Sequence, residues 1–265
     1  MQNILAITLQ SMQQDSTRLE RVGMNLANAL TPGYKREVVS IEPQGFADQI
    51  SALARPTTQA SKPQASSGVA GVQIQSDVRP GTLKSTGQSL DIGIAGPGYF
   101  EIITPAGPAY TRQGNFHLDN RGRLVTMQGY PVMGKGGEIV LTTGTPSIDS
   151  QGKVFEGFKS ALAAAPTGPA AEQQAVAQLK LVQLEHPETA QRLGEGLIVS
   201  AGAGQLVNEA DIQLRQGFLE NSNVSSMHEM VQLMQTMRHF ESMQKVALGY
   251  DEMMGTAIRK LGELS

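Results

Sequence analysis

The side chains that most often carry out catalysis or bind metals are scarce or badly spaced in this sequence. It has no cysteine, which excludes disulfides, iron–sulfur clusters, Cys-based zinc sites and thiol nucleophiles. The two histidines nearest in sequence are His228 and His239, which a helix would hold ~16 Å apart, too far to share one metal ion. No Gly-x-Ser-x-Gly motif accompanies a plausible triad. We therefore predict no catalytic, cofactor-binding or metal-binding residue, and we interpret these two histidines as solvated helix residues.

One glycine-rich segment comes close to the pattern of a phosphate-binding P-loop. Residues 129–135 (GYPVMGK) fit its first seven positions, but Gly136 stands where a P-loop has the Ser or Thr that binds magnesium. The EIVL sequence that follows is typical of a strand, whereas a bound phosphate needs the N-terminus of a helix. We interpret the segment as an ordinary glycine-rich loop.

The composition excludes further classes of protein. The 24 acidic and 21 basic residues leave a net charge of -3, which is too balanced for a general nucleic-acid binder. No apolar run approaches the ~20 residues that a membrane-spanning helix needs. The first lysine or arginine is Arg18, so the N-terminus makes a poor cleaved secretory signal. A soluble protein without catalytic activity is expected, and only a glycosidase built from two distant carboxylates stays open.

The middle of the chain has the pattern of short β-strands separated by turns. Strands are predicted at Phe100–Ile103, Arg123–Thr126, Glu138–Leu141 and Leu179–Val182. Leu118–Leu124 and Ile148–Val154 share a pattern in which Asp opens a turn, Gly follows, and a cation begins the next strand. This pattern predicts two hairpins, because a calcium loop would need several carboxylates and each segment has one Asp.

Both ends of the chain have helical patterns. Apolar residues recur every seven positions near the N-terminus, and Thr31-Pro32-Gly33 is expected to end that helix. Near the C-terminus two seven-residue series lie three residues apart, which is typical of a coiled-coil seam. Their members are Leu233, Phe240, Ala247, Met254 and Leu261, and Met243, Tyr250, Ala257 and Leu264. A helix of about 40 residues would run ~60 Å, so we expect it to pair with the other end or with neighbouring molecules.

These patterns predict an α+β protein in five parts. Its N- and C-terminal α-helices pair as a coiled coil and bracket an extended linker region and a central, mainly antiparallel β domain. The expected boundaries are 1–32 for the N-terminal helix, 33–80 for the extended linker, 81–207 for the β domain, 208–224 for a return linker, and 225–265 for the C-terminal helix.

Three separated motifs resemble the flagellar rod, hook and hook-associated axial proteins. The motifs are Asn25–Arg36 (NLANALTPGYKR), a body segment from Leu90 through Gly98-Tyr99-Phe100 to Tyr110–Phe116, and Gln216–Val224 (QGFLENSNV) with the helix that follows it. They occur in the family's order and cover most of the chain. Within the family, the short connection from Arg36 to Leu83 is more similar to proximal-rod than to distal-rod members.

The resemblance implies a structural subunit of the bacterial flagellar basal-body rod, with no catalysis and no cofactor. Such a subunit would leave the cell through the flagellar type III export apparatus, without a cleaved Sec signal. It would then assemble helically into the drive shaft that crosses the periplasm and transmits torque. The expected partners are further copies of the chain, other rod and hook axial proteins and the export apparatus, with no nucleic acid and no membrane span.

The expected assembly interface combines the helical stripes with the first motif. Its residues are Leu5, Met12, Leu19, Leu26, Asn25, Asn28, Pro32, Gly33, Tyr34, Met230, Leu233, Met237, Phe240, Met243, Ala247, Tyr250, Met254 and Leu261. Two other interpretations stay open. One is a soluble β-rich binding module on a self-contained helical stalk. The other is a peptidoglycan-acting enzyme, for which the sequence has no visible catalytic constellation.

Overall fold

The computed structural model describes residues 2–41, 72–142, 145–156, 175–187, 190–194, 196–200, 202 and 204–262. Two long α-helices lie near the two ends of the chain, and the strand pairs whose register is assigned are antiparallel. The prediction of an α+β protein with a mainly antiparallel β region is confirmed. The chain divides into two units, the first from the described residues of 1–26, 37–75 and 225–265 and the second from those of 27–36 and 76–224.

The first unit contains the two helices and a small sheet. Helix α1 spans Gln2–Ala27 and helix α2 spans Ser226–Gly262, a length of 37 residues. Strands β1 (Glu37–Ile41) and β2 (Val72–Ser76) form a two-stranded sheet, although the sequence analysis assigns both segments to an extended linker. Residues 42–71 of that linker lie outside the described residues.

The second unit is built from many short strands. They are β3 (Leu83–Ser85), β4 (Ile92–Ile94), β5 (Tyr99–Thr104), β6 (Gly107–Thr111), β7 (His117–Leu118), β8 (Leu124–Val125), β9 (Met133–Gly134), β10 (Gly137–Glu138), β11 (Ser147–Ile148), β12 (Lys153–Phe155), β13 (Ala177–Gln178), β14 (Leu181–Gln183), β15 (Gln191–Gly194), β16 (Leu197–Val199), β17 (Gln205–Leu206), β18 (Leu214–Gln216) and β19 (Phe218–Glu220). The largest sheet has the order β15-β16-β6-β5-β14-β17.

The hydrophobic core of the second unit is formed by the inward faces of these strands. Phe100 on β5 is fully buried and meets Phe116 edge to face, with ring centroids 5.1 Å apart. The other core members are aliphatic: Ile92, Ile94, Ile102, Ala109, Leu124, Val132, Ile139, Leu141, Ile148, Val154, Leu179, Leu181, Leu197, Val207, Ile212 and Leu214. The predicted strands at 100–103, 123–126, 138–141 and 179–182 all contribute to this core. Within 138–141, Glu138 belongs to β10 and Val140 forms an isolated bridge with Arg123.

The C-terminal part of the second unit differs from the predicted return linker. Residues 208–224 contain a 3-10 turn at Glu209–Asp211 and the strands β18 and β19. β18 pairs with β4, and β19 pairs with β3. These strands have only three residues each, so alternation of apolar and polar residues could not reveal them.

The two predicted hairpins are confirmed. The Asp119 carboxylate accepts hydrogen bonds from the backbone N–H groups of Arg121 and Arg123, both at 2.8 Å, and β7 pairs with β8 around this turn. Asp149 accepts the corresponding two bonds, both at 2.9 Å, between β11 and β12. The segment similar to a P-loop contains β9, which pairs with β10, so Lys135 and Gly136 lie in the turn between two strands and are followed by β10 and not by a helix.

Gly122 provides a test of this turn geometry. Its φ of 75° is unfavourable for other residues, and an added Cβ would lie 2.4 Å from the Leu141 carbonyl oxygen. We expect Gly122→Ala to lower the free energy of unfolding by about 1–3 kcal/mol, measured by urea denaturation. The matched control is Gly136→Ala, where no atom lies within 4 Å of the new Cβ, and its effect should stay within about 0.5 kcal/mol. Equal unfolding midpoints for the two variants would contradict the turn assignment.

Candidate assembly interface

In the first unit, the Asn25 side chain links α1 to β1 and to α2. Its amide nitrogen donates to the Glu37 carbonyl oxygen at 2.8 Å, and its oxygen accepts from the Glu37 N–H at 2.8 Å. The same nitrogen donates to the Glu229 carboxylate at 3.2 Å. Asn25 and Glu229 are buried, being 1% and 0% exposed. A residue expected at an intermolecular contact is therefore bonded inside the subunit.

A second polar contact joins the two helices further along. The Asp15 carboxylate lies 2.5 Å from the His239 ring nitrogen Nδ1, and the Asp15 side chain is 3% exposed. Asn25 lies after Asp15 on α1, whereas its partner Glu229 lies before His239 on α2, so the two helices run antiparallel. The His239 side chain is 48% exposed, which agrees with its interpretation as a solvated residue, and its ring pairs with this buried carboxylate. His228 is exposed, as interpreted.

The most buried face of α1 is only partly apolar. It contains Thr8, Asp15 and Val22, which are 2–6% exposed and recur every seven residues. Each lies three residues after a member of the predicted apolar stripe, so the two series form one heptad pattern. Within that stripe Leu5 is 39% exposed, and Met12, Leu19 and Leu26 are half-buried. Apolar periodicity alone missed the buried series because two of its three members are polar.

The predicted seam of α2 and a second apolar surface occupy different faces of that helix. The seam residues Leu233, Phe240, Met243, Ala247 and Tyr250 are half-buried, whereas Met254 is 39% exposed and the side chain of Leu261 lies outside the described residues. We call the second surface the methionine stripe. It comprises Met227, Met230, Val231, Met234 and Met237, which are 42–80% exposed. At 100° per residue, the stripe lies roughly a third of a turn from the seam.

In the second unit, the segment after α1 is held by intramolecular contacts. The Asn28 side chain accepts a hydrogen bond from the Thr31 hydroxyl at 3.1 Å, and Pro32 is half-buried. Gly33 has a φ of 68°, and a Cβ there would lie 2.5 Å from the Arg112 backbone. Tyr34 is buried under the Arg192 guanidinium, 4.9 Å from the ring centroid.

A buried charged cluster around Glu220 lies next to this segment. The Glu220 side chain is 1% exposed and accepts from the Lys35 ammonium at 2.5 Å and from the Arg112 guanidinium at 2.9 Å. It also accepts from the Gly81 N–H at 2.8 Å. Arg112 donates in addition to the carbonyl oxygens of Gly98 and Gly96, at 3.0 and 2.6 Å. All members of this cluster lie within the second unit.

Burial dominates the electrostatics of Lys35. Loss of hydration lowers the pKa of the Lys35 ammonium, the Glu220 carboxylate raises it in part, and the Arg112 charge lowers it further. Lys35, Arg112 and Glu220 are not among the site residues predicted from the sequence. The available signal was that each belongs to a different one of the three motifs, which the fold brings together at one point.

Metal sites and membrane-spanning helices are both absent from the described residues. No three of their His, Asp and Glu side chains come together in a way that could hold a metal ion. Among the described helices, none combines the length and the apolar character needed to cross a membrane.

Two family models match parts of the chain. The one described as "Flagellar basal body rod FlgEFG protein C-terminal" matches residues 215–260, which contain β19 and most of α2. The one described as "Flagellar hook protein FlgE/F/G D1 domain" matches residues 93–156, in the second unit.

Individual relatives match the chain over most of its length. Flagellar basal-body rod protein FlgF of Rhizobium meliloti is 30% identical over 265 residues, 99% of each chain. Flagellar basal-body rod protein FlgG of Bacillus subtilis is 31% identical, covering 93% of this chain and 94% of its own. FlgF of Salmonella typhimurium is 32% identical over 88% of both chains. Because FlgF and FlgG relatives match equally well, identity does not separate the two types.

Substitution of Asn25 tests the polar link in the first unit. In Asn25→Asp a second oxygen replaces the nitrogen that donates to Glu37 and Glu229, so we expect the free energy of unfolding of the helices to fall by about 2–3 kcal/mol. Urea denaturation followed by circular dichroism would measure it. Gln13→Glu makes the same charge change at an exposed position of α1 and should leave the midpoint in place. An unchanged midpoint in both variants would show that the Asn25 hydrogen bonds do not contribute to the free energy of unfolding.

The lowered pKa of Lys35 predicts a pH dependence. The unfolded lysine keeps its proton up to about pH 10.5, whereas the buried ammonium releases it at lower pH. Between these two values the unfolded chain binds more protons, so the free energy of unfolding contributed by this residue increases with pH. The free energy of unfolding of the wild type should therefore increase relative to that of Lys35→Met as the pH rises towards 10.5. Urea denaturation of both proteins measures it. A constant difference between the two proteins over that window would contradict the assigned pKa direction.

Proposed function

The chain belongs to the family of flagellar basal-body rod proteins of the FlgF and FlgG type, and we propose that it assembles into the rod by burying exposed helix faces against neighbouring subunits. Its relatives are structural subunits of the flagellar basal body, and the protein is a structural subunit and not an enzyme. The relatives favour this function over a binding module on a self-contained stalk, because each is a basal-body rod protein over most of its length.

The methionine stripe carries the proposal. These five apolar side chains lie along the first three turns of α2 and are 42–80% exposed. Complete burial of one such side chain contributes about 1.5–3 kcal/mol, so a neighbour that covers several of them gains substantial binding energy. Methionine also adapts its shape to irregular surroundings. That property suits a subunit whose neighbours are partly copies of itself and partly other axial proteins.

We propose that the predicted seam, in contrast, closes within the subunit. The antiparallel contacts of Asn25 with Glu229 and of Asp15 with His239 support a coiled-coil pair of α1 and α2. The half-buried seam residues of α2 support it as well. In this arrangement the helical part contains α1 and α2, and the β domain includes β18 and β19. Leu5, which is 39% exposed, and Met254 then stay accessible to neighbours together with the methionine stripe.

The remaining steps of the proposal concern assembly and route. Contacts between different faces of identical subunits generate an open helical filament when the rotation between neighbours does not close a ring, and such a filament is suited to a drive shaft that transmits torque. The shaft crosses the periplasm, and the subunit reaches it through the flagellar type III export apparatus. A chain without cysteine forms no disulfide that would block threading through a narrow channel.

Charges placed in the methionine stripe test the function. We expect Met230→Glu/Met234→Glu to abolish rod assembly, because each charge would have to be buried against a neighbour. The free chain should keep its helical circular dichroism and its urea midpoint, since both side chains are half exposed, at 50% and 52%. Swimming motility and electron microscopy of basal bodies in cells carrying the variant measure the assembly.

Two further variants separate surface from seam. Gln235→Glu adds a charge at an exposed position of α2 outside the stripe and should leave motility intact. Phe240→Ser, in the seam, should lower both the urea midpoint of the free chain and assembly. Normal rods built from Met230→Glu/Met234→Glu subunits would overturn the proposed interface.

A further inference from the structure

The chain passes between its two units four times. The passages follow Leu26, Arg36, Gln75 and Val224. Within the second unit, the segments that lead to these passages are short, and most of their backbone lies outside regular strands. Their conformation therefore depends on the specific bonds that they make with the rest of that unit.

Asn223 bonds to two of these segments at once. Its side-chain oxygen accepts from the Arg36 N–H at 2.7 Å, and its side-chain nitrogen donates to the carbonyl oxygens of Asp77 and Arg79, both at 3.0 Å. The Asp77 N–H donates to the Arg36 carbonyl oxygen at 2.8 Å, so the two segments are also bonded directly to each other.

Glu220 bonds to the same segments from the other side. Its carbonyl oxygen accepts from the Gly33 N–H at 2.7 Å, while its carboxylate accepts from Lys35 and from the Gly81 N–H. Lys35 extends the connection, because its ammonium also donates to the Arg79 carbonyl oxygen at 2.9 Å. Arg112, on the β body, completes the cluster through its bond to the Glu220 carboxylate.

We infer that Glu220, Asn223 and Lys35 form a clasp that holds the connector segments 33–36, 77–81 and 220–223 in one register on the second unit. The inference rests on the proposed function, since a rod subunit must carry load along its chain without yielding at these segments. Apolar contacts would allow the segments to shift along one another. The hydrogen bonds to the Glu220 and Asn223 side chains are directional and permit one arrangement. A buried charged cluster contributes little net stability, so its value here is geometric.

Lys35→Met separates this role from ordinary stabilisation. The variant keeps most of the side-chain volume and leaves the Glu220 carboxylate bonded to Arg112 and Gly81. It also removes a buried ammonium whose hydration was lost on folding. The urea midpoint of the second unit should therefore stay unchanged or rise, while the connectors loosen.

Amide hydrogen exchange on the full purified chain measures the loosening. We expect exchange of the Arg36 and Gly81 amides to accelerate about tenfold in Lys35→Met, and in Asn223→Ala for Arg36. Glu101→Gln serves as the control, because it removes a carboxylate that bonds a lysine, Lys180, at 2.8 Å in the same unit but away from the connectors. Wild-type exchange at Arg36 and Gly81 in the clasp variants would overturn the inference.

Motility under load tests the consequence in cells. Lys35→Met cells should build flagella but lose swimming speed in viscous medium more steeply than wild-type or Glu101→Gln cells. Equal speeds at every viscosity would overturn the clasp. Deletion of the whole chain tests the proposed function separately. Motility that survives the deletion would overturn the rod function. If the deletion abolishes motility but the swimming speed of Lys35→Met cells depends on viscosity as in the wild type, the clasp alone would be overturned.

Discussion

The buried carboxylate of Glu220 is the interaction on which the second unit depends most. Its two cationic partners, Lys35 and Arg112, lie 185 and 108 residues away along the chain, so one side chain joins three distant segments. An unpaired carboxylate in this environment would cost several kcal/mol, and the ion pairs together with the Gly81 N–H bond offset that cost only in one arrangement. The second unit therefore either adopts the arrangement in which Glu220 is paired or contains an unpaired buried charge, and intermediate arrangements are unfavourable.

The first unit shows the complementary strategy. Its polar contacts, from Asn25 and Asp15, orient the two helices, but much apolar surface of α2 stays in water. A monomer whose orienting polar contacts are buried and whose methionines are exposed is suited to a polymer. The relative direction of its helices is already fixed when it meets a neighbouring subunit. In the proposed assembly, the energy of association would come from burial of this exposed apolar surface.

Patterns along the sequence were sufficient for features governed by local chemistry. The heptad repeat of Leu233, Phe240 and Ala247 predicted α2, and the Asp and Gly positions predicted the hairpins at Gly122 and Gly152. Buried polar groups were beyond this method. Asp15, Lys35 and Glu220 are charged residues that periodicity assigns to solvent, and their burial follows from partners that only the fold brings near. The motifs shared with the axial proteins contain Lys35 and Glu220 without indicating their contacts, and Asp15 lies outside those motifs.

The order of pairing in the second unit has a consequence for when the protein can fold. β19 and β18 are made late in synthesis, yet they pair with β3 and β4, which are made more than a hundred residues earlier. Such high contact order slows folding, because distant segments must meet before any bond rewards them. A nascent chain that has emerged from the ribosome only as far as β17 lacks both strands. It also lacks the Glu220 carboxylate, which pairs with Lys35 and Arg112. The second unit therefore cannot complete its fold until β18 and β19 have been synthesised. The chain stays incompletely folded for at least the time that translation takes to reach them.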